Sequence, residues 1–384
     1  MKRLAVMIWL VAGCPSPASK PSVLPADTGT MRNDDAARLA RLFSELQDDV
    51  LTSYERDEPP DLDSTMIDPR VGTARIGAGP DDVYIARDLA RAPSRWPLDV
   101  DRATRTEVRS KHLAIQIAAD QSAAWSSDEL SWRIEMCGRT AVIPLRITAL
   151  YAHDGDRWVP VFEHLSYGFA PNPASAAMAK PMQPVVASAD LGSALAGVVD
   201  RGLLRTPHEP AALAQDASAL VIGPDVADEW QGEQVLAARI PSGKLEERRI
   251  GTVGRGPRAP TIAYWVGNYL ADIPAVAGVA AGKIRMRATF VFEKRPVMRD
   301  GTPADPKICI AGPSPRDPGE CVWSLVQTHM SQPITDDQLT QQVFGTARLT
   351  SKPLALDCSE GTVPIAPAAA PRPAAHSPPA AQSR

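Results

Sequence analysis

One pattern occurs twice in this chain of 384 residues, and the repetition limits the folds that the chain can adopt. A Trp is followed six positions later by a His, and the His is followed two positions later by a Ser. The pattern spans Trp158–Ser166 and returns at Trp323–Ser331, with all three matched positions shifted by the same offset. Self-similarity at a fixed offset indicates an internal repeat. We therefore predict two copies of one domain, which agrees with a norm of roughly 100–200 residues per domain.

The segments that precede this pattern also match between the two halves. Leu145–Tyr151 (LRITALY) aligns with Met286–Phe292 (MRATFVF), at an offset shorter than that of the first pattern. The difference between the two offsets falls in a Pro- and Gly-rich insert of the second half, 296–319. Two further matches follow in the same order. They pair Trp125 with Trp265, and the turn Gly79-Pro80-Asp81 with Gly223-Pro224-Asp225.

Local patterns indicate that each copy begins with a helix and continues as a sheet. Leu39, Leu42, Phe43, Leu46 and Val50 recur at helical spacing in 34–55, behind an Asp-rich start. From His112 onward the first half shows the period-two alternation of strands, with Asp154-Gly155 as a hairpin turn. The second half has a weaker helix at 189–204 and similar strands. We predict an α+β fold with an antiparallel sheet in each copy.

These patterns give domain boundaries. We place the first domain at 34–168, a linker at 169–188 and the second domain at 189–350, with the long hairpin insert at 296–319. Residues 351–384 are rich in Ala and Pro, a composition that cannot build a core and is typical of a disordered tail.

The strand motifs resemble a known family. Ala123–Leu130 (AAWSSDEL), Ile143–Leu150 (IPLRITAL) and Trp158–Ser166 are similar to strands of the SnoaL-like branch of the nuclear transport factor 2-like superfamily, which includes ketosteroid isomerase. The resemblance implies two cones, each a curved antiparallel sheet wrapped around N-terminal helices with its mouth open to a ligand. It also implies that the two domains pair sheet to sheet as an intramolecular pseudo-dimer. Because such cones host isomerases, cyclases, dehydratases and inert scaffolds, the resemblance does not supply a function.

The N-terminus predicts where in the cell the protein is located. Residues 1–13 combine the basic pair Lys2-Arg3 with an apolar stretch that is too short to span a bilayer, as in a signal peptide. Val11-Ala12-Gly13-Cys14 resembles the lipobox of bacterial lipoproteins, in which the Cys is acylated. This resemblance implies a lipid anchor on Cys14, a flexible tether over 14–33, and a place in the cell envelope, at the periplasmic face of the outer membrane. An ordinary secretory signal with an incidental Cys is the alternative.

Four further cysteines agree with an oxidising compartment. Cys309 and Cys321 bracket a loop of turn-forming residues, so a disulfide at its base is a reasonable prediction. The sequence leaves open whether Cys137 pairs with Cys358 or whether both are buried free thiols.

Candidate site residues lie on the strands of both copies. His164 is either a general acid or base on the inner face of the first cone or a hydrogen-bonded core residue. Alternation predicts that Trp158, Phe162, His164 and Ser166 share one face of their strand. The residues that we assign to a possible pocket are Trp125, Trp132, Glu135, Arg146, Trp158, His164, Ser166, Arg287, Trp323, His329 and Ser331.

Charged residues in these strands allow more than one interpretation. Arg146 and Arg287 occupy matched positions and either bind an anionic ligand, pair with carboxylates such as Glu135 or Glu163, or cross the interface between the copies. Asp128 and Glu135 are the candidates for a catalytic carboxylate, with His164 as their partner. An exposed strand end is the alternative for both carboxylates.

Several classes of function lack support in the sequence. The formal net charge is −4 and there is no long basic run, which argues against a nucleic-acid binder. The six His residues lack metal-ligand spacing, so we predict no metal and no cofactor. The first hypothesis is a membrane-anchored module that binds a small apolar molecule or a protein. The alternatives are an isomerase, cyclase or dehydratase acting on a small apolar carbonyl compound in the first cone, and a purely structural protein.

Overall fold

A computed structural model of the chain describes residues 33–56, 64–85, 95–96, 105–136, 139–169, 177–225, 227–254, 260–275, 281–297, 307–311 and 320–339. The α-helices are α1 (Asn33–Arg56), α2 (Ala189–Val199) and α3 (Lys307–Ala311). A π-helical turn (Asp200–Leu204) extends α2, and two 3₁₀ helices span Pro210–Ala212 and Gly232–Ala237. The strands of the first half are β1 (Ala74–Ile76), β2 (Val83–Ile85), β3 (Arg105–Ser110), β4 (Ala114–Ile117), β5 (Ala123–Met136), β6 (Arg139–Asp154) and β7 (Arg157–Tyr167). Those that follow are β8 (Val185–Val186), β9 (Leu220–Ile222), β10 (Glu229–Gln231), β11 (Gly243–Val253), β12 (Ile262–Ile273), β13 (Gly282–Val297) and β14 (Glu320–Ser331).

The strands form two seven-stranded sheets with matching order. The first sheet runs β2-β1-β7-β6-β5-β3, with β4 paired to another stretch of β5, and the second runs β10-β9-β14-β13-β12-β11-β8. In both sheets the long central strands are antiparallel, and the short strand beside them (β1 or β9) is parallel to its neighbour. The architecture is therefore α+β, with strands predominating.

The two sheets also share an irregularity. The register shifts between Leu150 and Tyr151 where β6 pairs with β7, and between Val291 and Phe292 where β13 pairs with β14. The residue left out of the ladder is Val161 in the first sheet and Val326 in the second, and these two are related by the same offset as the Trp, His and Ser of the repeated pattern. A bulge at the same place in both ladders supports the internal repeat that the sequence predicts.

The ladder corrects one of the sequence matches. Trp125 pairs with Leu150, and the counterpart of Leu150 in the second sheet, Val291, pairs with Tyr264. The structural equivalent of Trp125 is therefore Tyr264, and the match to Trp265 was wrong by one residue. Because neighbouring residues of a strand face opposite sides, Trp125 and Trp265 lie on opposite faces of equivalent strands.

The Gly-Pro-Asp match is displaced as well, by two residues. Gly77 donates its backbone N–H to the carbonyl of Asp82 at 2.8 Å, and Gly223 does the same to Asp228 at 2.7 Å. A Cβ on either glycine would lie 2.6 Å from the Cβ of that aspartate, so both turns need glycine. The equivalent of Gly223 is thus Gly77 and not Gly79.

Helix α1 covers one face of the first sheet. Leu42, Leu46, Val50 and Tyr54 recur at helical spacing and are buried against β5, β6 and β7. The opposite face of the sheet packs against the second sheet, and one continuous apolar cluster includes residues of both halves. The core of the protein therefore runs from the first sheet through the sheet-to-sheet interface to α2.

The connection between the halves is partly built into the second sheet. Within the predicted linker 169–188, Val185 and Val186 form β8, which pairs in parallel with β11. Cys309 in α3 and Cys321 in β14 form a disulfide with a Cα–Cα distance of 5.8 Å. Cys14, Cys137 and Cys358, the tether 14–33 except its last residue, and the tail 351–384 lie outside the described residues. In the part of the chain that the structure describes, no helix is long and apolar enough to cross a membrane.

Candidate functional site

The bulge at Val161 decides which side chains of β7 face the second copy. Phe162 pairs with Leu150, and Pro160 pairs with Tyr151. Even-numbered residues before the bulge therefore point to the opposite face from even-numbered residues after it. His164 and Ser166 face the interface with the second sheet, whereas Trp158 packs on the side of α1. The prediction that Trp158 shares a face with His164 was therefore wrong, because strict alternation fails across a bulge.

His164 and His329 meet at the centre of this interface. Their imidazole rings are stacked with centroids 3.9 Å apart, and neither side chain is exposed to solvent. His164 contacts Thr289 Oγ1 through Nδ1 at 3.1 Å and Ser331 Oγ through Nε2 at 2.7 Å. Every partner of His164 in these bonds belongs to the other copy.

His329 makes the same bonds in the reverse direction. Its Nδ1 contacts Thr148 Oγ1 at 3.0 Å, and its Nε2 contacts Ser166 Oγ at 2.8 Å. Reciprocal contacts of this kind are the signature of an isologous interface, here between two halves of one chain. A pseudo-two-fold axis therefore passes between the two imidazoles.

Burial keeps both imidazoles neutral. Desolvation lowers the pKa of His164 to about 3, and the nearby guanidinium groups of Arg287 and Arg146 act in the same direction. Desolvation also holds the pKa of His329 well below its ordinary value, with His164 and Arg146 as further causes. The rings are thus hydrogen-bonded core residues, which was one of the two interpretations of the sequence.

The two matched arginines cross the interface to backbone carbonyls of the other copy. Arg146 donates to the carbonyl oxygens of Gly223 at 3.3 Å and Asp225 at 3.2 Å. Arg287 donates to the carbonyl of Pro80 at 2.7 Å, and also to that of Lys180 at 2.9 Å. Of the three interpretations that the sequence left open, the contact across the interface is the one that the structure contains.

A small cavity lies at the edge of the same interface. It has a volume of about 20 Å³, enough for about one water molecule, and Trp125 and Gln327 are among its lining residues. Trp125 donates through Nε1 to the carbonyl of Ser218 at 3.3 Å, and Gln327 donates to the carbonyl of Ser126 at 2.9 Å. This cavity is too small for an organic ligand.

The helix-facing side of the first sheet has a polar interior. Asp128 pairs with Ile147 and therefore faces α1, where its side chain is buried and Oδ1 accepts from the backbone N–H of His112 at 3.1 Å. Desolvation raises the pKa of the Asp128 carboxyl, and nearby hydrogen-bond donors offset only part of this effect. Burial also raises the pKa of Tyr54 on α1, and the Asp128 carboxylate contributes to that rise.

An ion-pair cluster lies on the same face of the first sheet as Asp128. Glu163 is held between Arg75, with Nε at 3.4 Å, and Arg95, with a guanidinium nitrogen at 3.0 Å. All three side chains are buried, and Arg95 also donates to the carbonyl and the hydroxyl of Ser53 on α1. The sequence predicted neither this cluster nor Tyr54, because its members are far apart in the chain and carry no shared motif.

The second interior has no charged side chain at the equivalent positions. The ladders place Trp265, Gly267 and Phe292 where the first copy has Ser126, Asp128 and Tyr151. Thr328 likewise replaces Glu163, and Val221 replaces Arg75. Trp265 and Phe290 pack edge to face with centroids 5.8 Å apart, and both are fully buried. The second copy thus has aromatic, small or uncharged side chains at positions where the first has charged and hydroxyl groups.

The candidate catalytic residues of the sequence do not come together. Asp128 and His164 lie on opposite faces of the first sheet. Glu135 pairs with Thr140, whereas His164 pairs with Thr148, and this separation along β6 corresponds to roughly 26 Å at the usual rise per strand residue. Glu135 instead forms a half-exposed ion pair with Arg133.

The remaining aromatic candidates lie in two places. Trp132 is fully buried and faces α1, and Trp158 is buried on the same side. Trp323 lies beneath the ammonium group of Lys294, which is 5.1 Å from its ring centroid. Among the described residues there is no group of three or more His, Cys, Asp and Glu side chains that could hold a metal ion.

One further pattern in the sequence indicates the hydrogen-bond partners of the two His residues. Thr148 and Thr289, which bond the two imidazoles, are themselves related by the offset that aligns Leu145–Tyr151 with Met286–Phe292. A matched polar residue on each of two matched apolar strands indicates that the His partners also come in pairs.

Comparisons with known proteins give little further information. No protein-family model matches the chain, and no curated protein matches it. One solved structure with a weak likeness is described as an "Ntf2 like protein involved in plasmid conjugation". Its sequence identity is 9% and its TM-score is 0.18, over 61% of this chain and 80% of that chain. Its description agrees with the superfamily that the strand motifs resemble, but so low a TM-score has no weight for the fold or the function.

Proposed function

We propose that the protein is a lipid-anchored module of the bacterial envelope that binds a small molecule in its first copy, while its second copy is a structural partner. Both copies would be SnoaL-like, cone-shaped domains that pair sheet to sheet. The observation that carries the proposal is the difference between the two interiors. Only the first has a buried carboxyl, Asp128, and a buried ion-pair cluster at positions where the second has aromatic and small side chains.

The chemistry of this interior suggests the class of ligand. Because burial raises the pKa of Asp128, its carboxyl is more easily protonated than an exposed one and can then donate a hydrogen bond. The carboxyl is hydrogen-bonded to Ser110, Tyr54 and two backbone N–H groups, on the face of the sheet where Val50 and Ile147 belong to one apolar cluster. A small, mainly apolar compound with one carbonyl oxygen fits such surroundings, since the acid would bond the oxygen and the core residues would contact the remainder.

Binding can be tested with the acyl-free protein. We expect native mass spectrometry of the protein from its own envelope to show an added mass, and an extract of that envelope to raise the melting temperature. Asp128→Leu, which has no hydrogen-bond donor, should weaken binding at least about tenfold, since the loss of a single buried hydrogen bond to a ligand is worth about 1.5 kcal/mol. The matched control is Thr328→Val, a substitution of similar burial in the second interior, which should leave binding unchanged.

Two outcomes would remove this proposal. Absence of any bound compound in both measurements would favour a purely structural protein. Equal weakening by the two variants would show that binding does not take place in the first interior.

The lipid anchor has its own test. Labelled palmitate should be incorporated into the full chain and should be lost in Cys14→Ala. Incorporation that persists in Cys14→Ala would contradict an anchor at this residue and, with it, a location at the periplasmic face of the outer membrane that depends on that anchor.

The catalytic alternative has less geometric support. An isomerase, cyclase or dehydratase needs an acid and a base that reach the same substrate. His164 lies in the interface, on the other face of the sheet from Asp128, so the acid and base named from the sequence cannot share a substrate in this arrangement.

A further inference from the structure

The interface between the copies contains two buried bases with no carboxylate paired to either ring, and its buried acid, Glu293, is bound instead to Arg295 and the backbone N–H of Ala119. The groups that face the imidazoles are hydroxyls and guanidinium groups from four strands: Arg146 and Thr148 on β6, Ser166 on β7, Arg287 and Thr289 on β13, and Ser331 on β14. Among the described residues, no carboxylate lies within ion-pair distance of either ring. Glu163, the neighbour of His164 in sequence, faces the other side of the sheet and is bound to Arg75 and Arg95.

We propose that His164 and His329 form an acid-sensitive latch, whose protonation loosens the contact between the two copies before either sheet unfolds.

When both imidazoles are neutral, each ring nitrogen has a hydrogen-bond partner. A neutral imidazole has one N–H donor and one acceptor nitrogen, and a hydroxyl can serve either partner because it both donates and accepts. Each ring contacts one Thr and one Ser hydroxyl of the other copy, so each has a partner for both nitrogens. Four buried hydrogen bonds between side chains therefore join the copies when both rings are neutral.

The protonated pair has no such balance. The hydroxyls can still accept from an imidazolium, but two cations would then be stacked with centroids 3.9 Å apart, out of contact with water. Arg146 and Arg287 add positive charge on both sides of the pair. Such repulsion acts across the interface, so separating the sheets and admitting water relieves it.

The backbone pairing explains why the contact between the two copies would open before either sheet unfolds. Within each sheet the backbone bonds of β6 with β7, or of β13 with β14, join strands of the same copy. Between the copies the described residues share only a few backbone bonds, among them the isolated bridge of Ile67 with Val253 and the bond from the N–H of Ile334 to the carbonyl of Ala78 at 2.9 Å. Loosening the interface therefore leaves both ladders intact.

The sign of the pH dependence follows from the lowered pKa values. An open interface would return each ring to an ordinary pKa of about 6.5, so the open state binds more protons than the closed state below that pH. Each ring then favours opening about tenfold per pH unit, and the two together about 100-fold, until the pH approaches the closed-state values. For His164 that lower limit is about 3.

The test is an acid titration of the full chain from pH 8 to pH 4. We expect small-angle scattering to show an increase in the radius of gyration while far-ultraviolet circular dichroism stays constant. The slope of the logarithm of the opening constant against pH should approach two protons in the wild type. It should fall to one in His164→Gln or His329→Gln and to zero in the double variant. The control is His112→Gln, at a half-exposed His, which should keep the slope of two.

Three results would overturn the proposal. The first is a slope in the double variant equal to that of the wild type. The second is loss of circular dichroism at the same pH as expansion, which is the behaviour of ordinary acid unfolding. The third result applies even if the variants do not fold, because it uses the wild type. If nuclear magnetic resonance shows both imidazoles titrating near pH 6.5 while the protein stays compact, their protonation does not open the interface.

Discussion

The two copies of this protein have the same framework and different interiors. Both have the bulge, the glycine turn, the interface arginine and the buried His at equivalent positions. On the face that packs against its helix, the first sheet presents Asp128 and Glu163 where the second presents Gly267 and Thr328. The shared residues all serve the shape of the sheet or the contact between sheets, whereas the residues that differ face inward. The sheet-to-sheet contact therefore needs both copies to be alike, and the interiors are free to differ.

The largest expected effect lies in the ion-pair cluster of the first interior. Glu163→Leu would leave Arg75 and Arg95 without their carboxylate in a buried place, and we expect unfolding to become easier by about 3–5 kcal/mol. The equivalent change in the second interior, Thr328→Val, should alter the free energy of unfolding by no more than about 1 kcal/mol. Urea denaturation at pH 7 measures both. Similar losses in the two variants would mean that the interiors do not differ in the way that their side chains indicate.

A smaller effect should come from exchanging one hydroxyl between the copies. Phe292→Tyr places a hydroxyl among aromatic side chains, where an unsatisfied polar group costs about 1–3 kcal/mol. Tyr151→Phe removes the hydroxyl that bonds Ser126, and we expect a loss of about 1 kcal/mol. Thermal unfolding of both variants tests the comparison. A stable Phe292→Tyr would show that the second interior has room for a water molecule or a polar partner.

The sequence predicted much of the framework and little of the interiors. Two constant offsets between the halves were enough to predict the repeat, because strands in equivalent positions have similar alternation of side chains. The bulge at Val161 has no compositional signal, and it is the reason that the predicted face of Trp158 was wrong. Glu163 and Arg95 are far apart in the sequence, so only the tertiary fold shows that they meet.

The functional assignment of His164 illustrates the same limit. A His on an apolar strand is compatible with catalysis and with a core role, and the choice depends on what it faces. The residue that it faces is His329, which the repeat pairs with it in sequence but which alternation alone could not place against it. The reciprocal arrangement follows only when two matched sheets are known to pack face to face.

The smallest effect, and the one that most directly separates the two interiors, should come from Asp128. Burial raises the pKa of its carboxyl, so the folded state favours the protonated form. A raised pKa means that the contribution of Asp128 to stability is most favourable below the unfolded value of about 3.9 and declines as the pH rises through the folded value.

Asp128→Asn keeps the shape and cannot ionise, so its stability relative to the wild type should increase as the pH rises from 3 to 7. The matched substitution Gly267→Asp would introduce a carboxyl into the second interior and should give the opposite trend. Chemical denaturation over this pH range measures both trends. If Asp128→Asn is more stable at pH 7 while Asp128→Leu binds ligand more weakly, the first interior retains a buried acid at a cost in stability, as binding sites often do. If it is less stable at every pH, Asp128 is a structural residue and the two interiors differ in composition without differing in role.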